Sequence, residues 1–379
     1  MGWVLAAGST AQPSRHEATL PPTPVAILPD RYIVVFRPEA LQNADRMGIT
    51  RLAETLVAAW DGDLLYTYDV ALQGFAAVLS AEAAQALAAH PAVAYVEPDQ
   101  VVYALGTQSP APWGLDRVDQ RTLPLNNTYT YETTALGVHV YIFDTGIRST
   151  HTEFDGRIGN GYTAINDGLG TADCHGHGTH VAGTVGGQTY GVAKEVTLHP
   201  VRVLSCEGQG TTSGVIAGVN WVLANHIAPA VVNMSLGGNA SDALDTAIRN
   251  AINGDIVFVV AAGNNNGDAC LMSPARVAEA LTVGASTSAD ARASFSNYGG
   301  CLDLFAPGVS ITSAYHTSDM AIAISSGTSM AAPHVAGAAA LYRAQNPTAS
   351  ALTVHNAVIA NATTGVLSGI GSGSPNRLL

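Results

Sequence analysis

A chain of 379 residues, 47% apolar and only 12% charged, is long enough to bury two cores, one of them large. Its 29 acidic residues against 16 basic ones leave a net charge of -13, which argues against a nucleic-acid partner and offers no basic patch to a membrane surface. No apolar run approaches the length of a transmembrane helix, so no membrane partner is expected.

Residues 1–30 read as a leader. The first seven carry a very short apolar run with no basic start, at best the remnant of a signal peptide, and the proline-rich stretch after them has no periodic pattern. Residues 31–36 form a β-branched strand. A helical pattern follows over 44–60, then strands over 64–70 and 72–79, a helix over 81–89 and a last strand over 93–96. The order βαββαβ predicts a small ferredoxin-like α+β unit, and no catalytic constellation falls within it. The apolar run 101–105 leads into the turn-forming Gln108-Ser109-Pro110, an exposed and cleavable junction, which places a domain boundary near Leu105.

From Trp113 onward, runs that are apolar throughout (138–143, 196–204, 230–234, 256–260 and 281–283) alternate with helical stretches such as 212–225 and 241–253. Strands without polar alternation are buried on both faces of a parallel sheet, so this part is expected to be α/β, with its site at the carboxyl ends of the strands. All four cysteines, Cys174, Cys206, Cys270 and Cys301, lie here. Three connectivities are open, sequential pairing is the simplest, and an even count suggests an oxidising compartment.

Four stretches carry chemistry. Asp144 ends the first buried run, where a carboxylate is costly unless a donor or cation meets it. His177 stands between glycines at the opening of a helix of small residues, placed to relay a proton if Asp144 fixes its tautomer. Asn264-Asn265-Asn266 follow a buried strand, where a side-chain amide can donate to a developing oxyanion or simply build a turn. Ser329 sits at the start of an alanine-rich helix beside unpaired N-H groups, a nucleophile's position or simply that of a capping residue. His175, His177 and His180 also match the H-x-H-x-x-H spacing of a metal cluster, which keeps a metallohydrolase open as an alternative, and a non-catalytic binding protein on the same fold is the other.

Asp144-Thr145-Gly146, His177-Gly178-Thr179-His180-Val181-Ala182-Gly183-Thr184 and Gly327-Thr328-Ser329-Met330-Ala331-Ala332-Pro333-His334-Val335-Ala336-Gly337 resemble the three signatures of subtilisin-like serine proteases. Ala111-Pro112-Trp113-Gly114-Leu115-Asp116-Arg117 and the cysteine spacing are similar to those of the proteinase K branch and its aqualysin-type members. The resemblance implies a three-layer fold with a seven-stranded, mainly parallel sheet. It makes Ser329 the nucleophile, His177 the general base and acid, Asp144 its orienter and Asn264 the oxyanion donor. By the same likeness, residues 31–105 are an inhibitory and chaperoning propeptide, cut autocatalytically between Leu105 and Gly106, and 106–379 are the catalytic domain of a secreted, monomeric endopeptidase.

Two glycine-containing stretches, Gly208-Gln209-Gly210 and Ser235-Leu236-Gly237-Gly238, suit an extended peptide lying close, and the family resemblance makes them the two walls of the cleft, with Ala261-Ala262-Gly263 closing the first pocket. A pocket of glycine and alanine has no charge to read, so broad cleavage of proteins and peptides after apolar or aromatic residues is expected. Asp116, Asp119 and Gln120, with Asn126 and Thr128, form an oxygen-rich loop suited to a structural calcium ion. A second calcium site resembles one using Asp303 and the carbonyls of Ala278 and Ala280.

Overall fold

The computed structural model describes residues 27–41, 46–100 and 106–379. The chain divides into two compact units, Met1–Val102 and Tyr103–Leu379. Leu105 and most of the expected leader lie outside the described residues.

The first unit runs β1 (Ile27–Phe36), a single 3-10 turn (Pro38–Leu41), α1 (Arg46–Ala58), β2 (Asp63–Tyr68), β3 (Gly74–Val78), α2 (Ala81–Ala88) and β4 (Val93–Gln100). The strands form an antiparallel sheet in the order β2-β3-β1-β4. The helices follow from spacing: Ile49, Ala53, Leu56 and Val57 on α1 and Ala83 and Leu87 on α2 recur every three or four residues and bury one stripe against Val34, Phe36 and Phe75 of the sheet. Ser80 starts α2 by accepting the Ala83 N-H. β1 begins at Ile27, four residues earlier than the pattern suggested, and the expected helix positions 44 and 45 lie outside the described residues.

The second unit opens with β5 (Gly106–Gln108), α3 (Trp113–Val118), β6 (Tyr129–Tyr131), β7 (His139–Asp144), β8 (Tyr162–Thr163), α4 (His177–Gly186) and β9 (Thr197–Arg202). It continues with α5 (Thr212–Asn225), β10 (Ala230–Met234), β11 (Gly238–Asn239), α6 (Asp242–Asn253), β12 (Val257–Ala261), β13 (Met272–Ser273), β14 (Leu281–Ser286) and β15 (Leu304–Pro307). It ends with the hairpin β16 (Ile311–Ala314) and β17 (Ile322–Ser325), then α7 (Thr328–Gln345), α8 (Ala351–Asn361), β18 (Thr363–Thr364) and β19 (Arg377–Leu378). Nine strands make one sheet, β18-β19-β15-β14-β12-β10-β7-β9-β8, with every pairing parallel except β18 with β19. The expected seven strands are thus exceeded, because two-residue strands too short to show a period extend both edges.

Successive side chains on a strand face opposite ways, and here both ways lead to a core. Val140 and Ile142 of β7 pack with Val259 and Val283 under α4, α7 and α8, through Val181, Val185, Val335, Ala336 and Val354. Tyr141 and Phe143 pack with Val232, Phe258 and Val260 under α5 and α6, through Val219, Val222, Leu244 and Ile248. That double burial is why the strands read as unbroken apolar runs. The disulfides are Cys174–Cys206 and Cys270–Cys301, the sequential pairing, and each closes a loop of about 30 residues, worth on the order of 3 kcal/mol. Among the described residues no helix is long and apolar enough to cross a membrane.

Candidate active site

β7 delivers the acid. Asp144, at its last position, is fully buried, and its Oδ1 accepts the Thr145 N-H at 2.8 Å. Both carboxylate oxygens lie 2.7 and 2.8 Å from His177 Nδ1. With Nδ1 donating to Asp144, the imidazole leaves Nε2 as an acceptor. Burial by itself would push the His177 ring down, but the charge and hydrogen bond of Asp144, with a smaller contribution from Asp173, hold it above its ordinary value.

Two glycines let this ring come so close to β7. Gly176, the N-cap of α4, has φ +104°, and a Cβ there would stand 2.3 Å from the Tyr315 ring. A Cβ on Gly178 would stand 2.1 Å from the Gly146 carbonyl oxygen and 3.1 Å from Asp144 Cβ. A side chain at Gly178 would have to move backbone, and one at Gly176 would be strained by its positive φ and would crowd the side chains of Tyr315 and His316.

Ser329 is the second residue of α7, and Gly327 occupies the cap position. The capping role for Ser329 is therefore corrected: its Oγ donates to the Ser235 carbonyl at 3.1 Å, while Ser235 Oγ donates back to the Ser329 carbonyl at 2.8 Å. This reciprocal pair pins the start of α7 to the end of β10. Asn264 follows β12, and its Oδ1 accepts both the Thr328 N-H at 2.8 Å and the Thr328 hydroxyl at 3.0 Å. Because the amide oxygen is taken, the Nδ2 donors are left for the space beside Ser329.

That space is a cavity of about 160 Å³ lined by Ala261, Ala262, Gly263, Asn264, Thr328 and Ser329, with Leu236 and Gly237 on one wall. Met272, Ser273 and Ala275 also line it and were not expected from the sequence; the only signal for them was that apolar residues follow Cys270. A larger open cleft of about 570 Å³ runs on past His177, between Gly208-Gln209-Gly210 and Ser235-Leu236-Gly237-Gly238. His175 lines this cleft as a neighbour of His177, their ring centroids 6.3 Å apart.

The three histidines do not converge. His180 Nε2 faces the Ile311 carbonyl at 3.0 Å inside the core, and His177 Nδ1 is committed to Asp144. Among the described residues one cluster has ligating atoms close together, Asp167, Cys174 and Cys206, but both sulfurs are in a disulfide and Arg202 sits on the carboxylate.

The two expected calcium sites differ. In the first, Asp116 accepts the N-H groups of Asn126 and Asn127, while Asp119 Oδ2 accepts from Thr130. Asp119 Oδ1 is buried without a partner, and burial pushes this carboxyl up to about 6, with Asp116 adding to the rise. A buried carboxylate oxygen facing no donor, near the second carboxylate of Asp116, is what a bound cation would satisfy, while the Gln120 amide donates to the carbonyls of Thr122 and Pro124. Asn126 fits less directly, because its Oδ1 already accepts the Thr128 N-H and hydroxyl. In the second set, Asp303 Oδ2 accepts the Thr282 N-H and Oδ1 lies 3.7 Å from His355 Nε2. Against burial, which lowers it, that ring is held up by Asp303, with help from the Ala280 carbonyl.

Residues 136–374 match the sequence pattern of the subtilase family, and residues 31–105 that of the peptidase inhibitor I9 family. The chain is 55% identical over 373 residues to an extracellular serine proteinase of Thermus sp. (strain Rt41A), covering 93% of this chain and 89% of that one. It is 47% identical to alkaline serine exoprotease A of Vibrio alginolyticus, over 95% of this chain and 68% of the relative. Among solved structures it is similar to a cold adapted subtilisin-like serine proteinase, with a TM-score of 0.70 and 52% identity, over 72% of this chain and 98% of the other.

Proposed function

We propose, from the premise that this chain belongs to the subtilase family of serine proteases, that it is a secreted endopeptidase whose chemistry is performed by Ser329, His177, Asp144 and Asn264. The supporting observation is the Asp144 to His177 contact at 2.7 Å, taken with a small cavity lined by both Ser329 and Asn264, whose amide is oriented by Thr328. On substrate binding, Ser329 Oγ leaves the Ser235 carbonyl, transfers its proton to His177 Nε2 and bonds to the peptide carbonyl carbon. The negative charge that develops on the carbonyl oxygen meets Asn264 Nδ2 and the Ser329 N-H at the start of α7, while the Thr328 N-H is taken by Asn264 Oδ1. His177 then gives the proton to the departing amine, leaving an acyl-enzyme that water hydrolyses by the same route in reverse. Asp144 stabilises the imidazolium throughout and holds its tautomer.

An uncharged first pocket supports broad cleavage after apolar or aromatic residues. Residues 31–105 serve as the intramolecular inhibitor, removed between Leu105 and Gly106, and 106–379 remain as a monomeric catalytic domain. Secretion is supported by the two disulfides and by relatives that include an extracellular proteinase. Calcium is assigned to the loop of Asp116, Asp119, Gln120, Asn126 and Thr128, where it supplies charge neutralisation and rigidity and takes no part in bond cleavage. At the second set a cation would have to share Asp303 with His355.

A fluorophosphonate label tests the whole reading. It is expected to add to Ser329, seen by mass spectrometry, and to abolish activity that a zinc chelator leaves intact. Ser329→Ala is expected to stay uncut. A Ser329→Ala chain that still appears cut near Leu105 in purified form refutes self-processing by this serine.

A further inference from the structure

Asp173, outside the four residues assigned to the reaction, makes an unusual set of bonds. Its Oδ1 accepts the Thr145 hydroxyl at 2.9 Å and the N-H groups of His175 and Gly176, both at 2.9 Å. Its Oδ2 accepts the Thr179 N-H at 2.9 Å and the Thr179 hydroxyl at 2.5 Å. A carboxylate can only accept, so both hydroxyls have to donate to it, and each then has a lone pair left for a donor elsewhere. Thr145 Oγ1 accepts the Gly178 N-H at 2.9 Å, and Thr179 Oγ1 accepts the Arg148 N-H at 3.1 Å. Thr145 is the residue after Asp144, and Gly178 is the residue after His177.

We propose that Asp173 is a positioning residue for the reaction: through two threonine hydroxyls it clamps the start of α4 to the segment 144–148 and so sets the approach of His177 to Asp144. The inference rests on the functional reading above. The clamp is needed because this approach is held by backbone contact at Gly178 and by one ionic hydrogen bond, and a misplacement of about 1 Å can cost on the order of a hundredfold in rate. Asp173 adds a second effect, since its negative charge favours the protonated His177. The other titratable groups facing that ring are Asp144 from β7, His175 from the preceding loop and His180 from α4. Burial pulls the Asp173 carboxyl up, but the hydrogen bonds to Gly176, Thr179 and His175 outweigh it, so it is charged where the enzyme works.

The test is kcat and KM per active site, titrated with the serine label, across pH for the matured full-length product. Asp173→Asn puts an amide where two donors now point, and is expected to lower kcat about tenfold or more at nearly constant KM while moving the acid limb of kcat/KM to lower pH. Thr145→Val breaks one relay but keeps the charge: kcat is expected to fall with the acid limb unmoved, and Thr145→Ser to restore it. A purely structural role would reduce the number of titratable sites and leave both the rate per site and the limb as in the parent, and that result overturns the proposal. If Asp173→Asn does not mature, the threonine pair decides, because equal kcat per site in Thr145→Val and the parent refutes the clamp. Failure of the underlying reading shows separately, as a parent enzyme whose Ser329 takes no label.

Discussion

Removing the Asn264 amide is the most local way to weaken the reaction. Asn264→Ala is expected to lower kcat by about a hundred- to a thousandfold with KM little changed, because the donor acts on charge that exists only after attack. Steady-state kinetics on a peptide anilide checks this. The pH profile follows from His177. Activity needs the neutral ring, and Asp144 holds it protonated to higher pH than the ordinary 6.5, so kcat/KM is expected to rise through an acid limb above that value. Stability at low pH belongs to other histidines. Burial pushes His180 and His334 down to about 4, so they stay neutral in the fold while the unfolded chain binds protons. The stability that these two rings contribute is therefore fully present above pH 6.5 and is lost as pH falls toward 4, which denaturant melts at a series of pH values would display. Asp144, His177 and Ser329 were legible in the sequence because each sits in a long motif at the end of an element. The orientation of Asn264 was not, since Thr328, 64 positions away, decides which end of the amide faces the cavity. Asp173 was overlooked for a related reason: a carboxylate shortly before a helix reads as a local turn, and its tie to Thr145 crosses 28 positions.

Between elements the critical contact is that of α4 with β7. Gly178→Ala would push a methyl into the Gly146 carbonyl and the Asp144 side chain, neither of which is a flexible end. Loss of nearly all activity and a lower Tm are expected, measured on protein matured with its own propeptide. Elements with sustained patterns were readable nearly to the residue, as with α5 (Thr212–Asn225) and β10 (Ala230–Met234). Short ones were not. β15 (Leu304–Pro307), the hairpin β16–β17 and the two-residue β18 and β19 have too few positions for a period; β15, β19 and β18 extend one side of the main sheet, whose edge offers unpaired groups, while β16 and β17 pair only with each other. The seven strands implied by family likeness thus became nine. Helix α8 was missed although Ser350 caps it, because its apolar face is interrupted by small and polar residues.

At the scale of the molecule, stability is expected to depend on the calcium ion proposed for the loop of Asp116 and Asp119. Chelation is expected to lower the Tm of the parent clearly and that of Asp119→Asn little, as calorimetry would register, because the variant no longer presents a charged, unpartnered oxygen to the loop. The domain order was legible in the turn-forming Gln108-Ser109-Pro110 after an apolar run, and the two compact units divide between Val102 and Tyr103. The sheet of the second unit also separates two tasks. The helices α4 and α7, which carry His177 and Ser329, belong to one covering layer. The cleft walls Gly208-Gln209-Gly210 and Ser235-Leu236-Gly237-Gly238 lead directly into α5 and α6, which form the other layer. Substitutions in these walls are therefore expected to disturb packing under α5 and α6, away from the layer of α4 and α7, except at Ser235, whose reciprocal hydrogen bonds with Ser329 join the two layers.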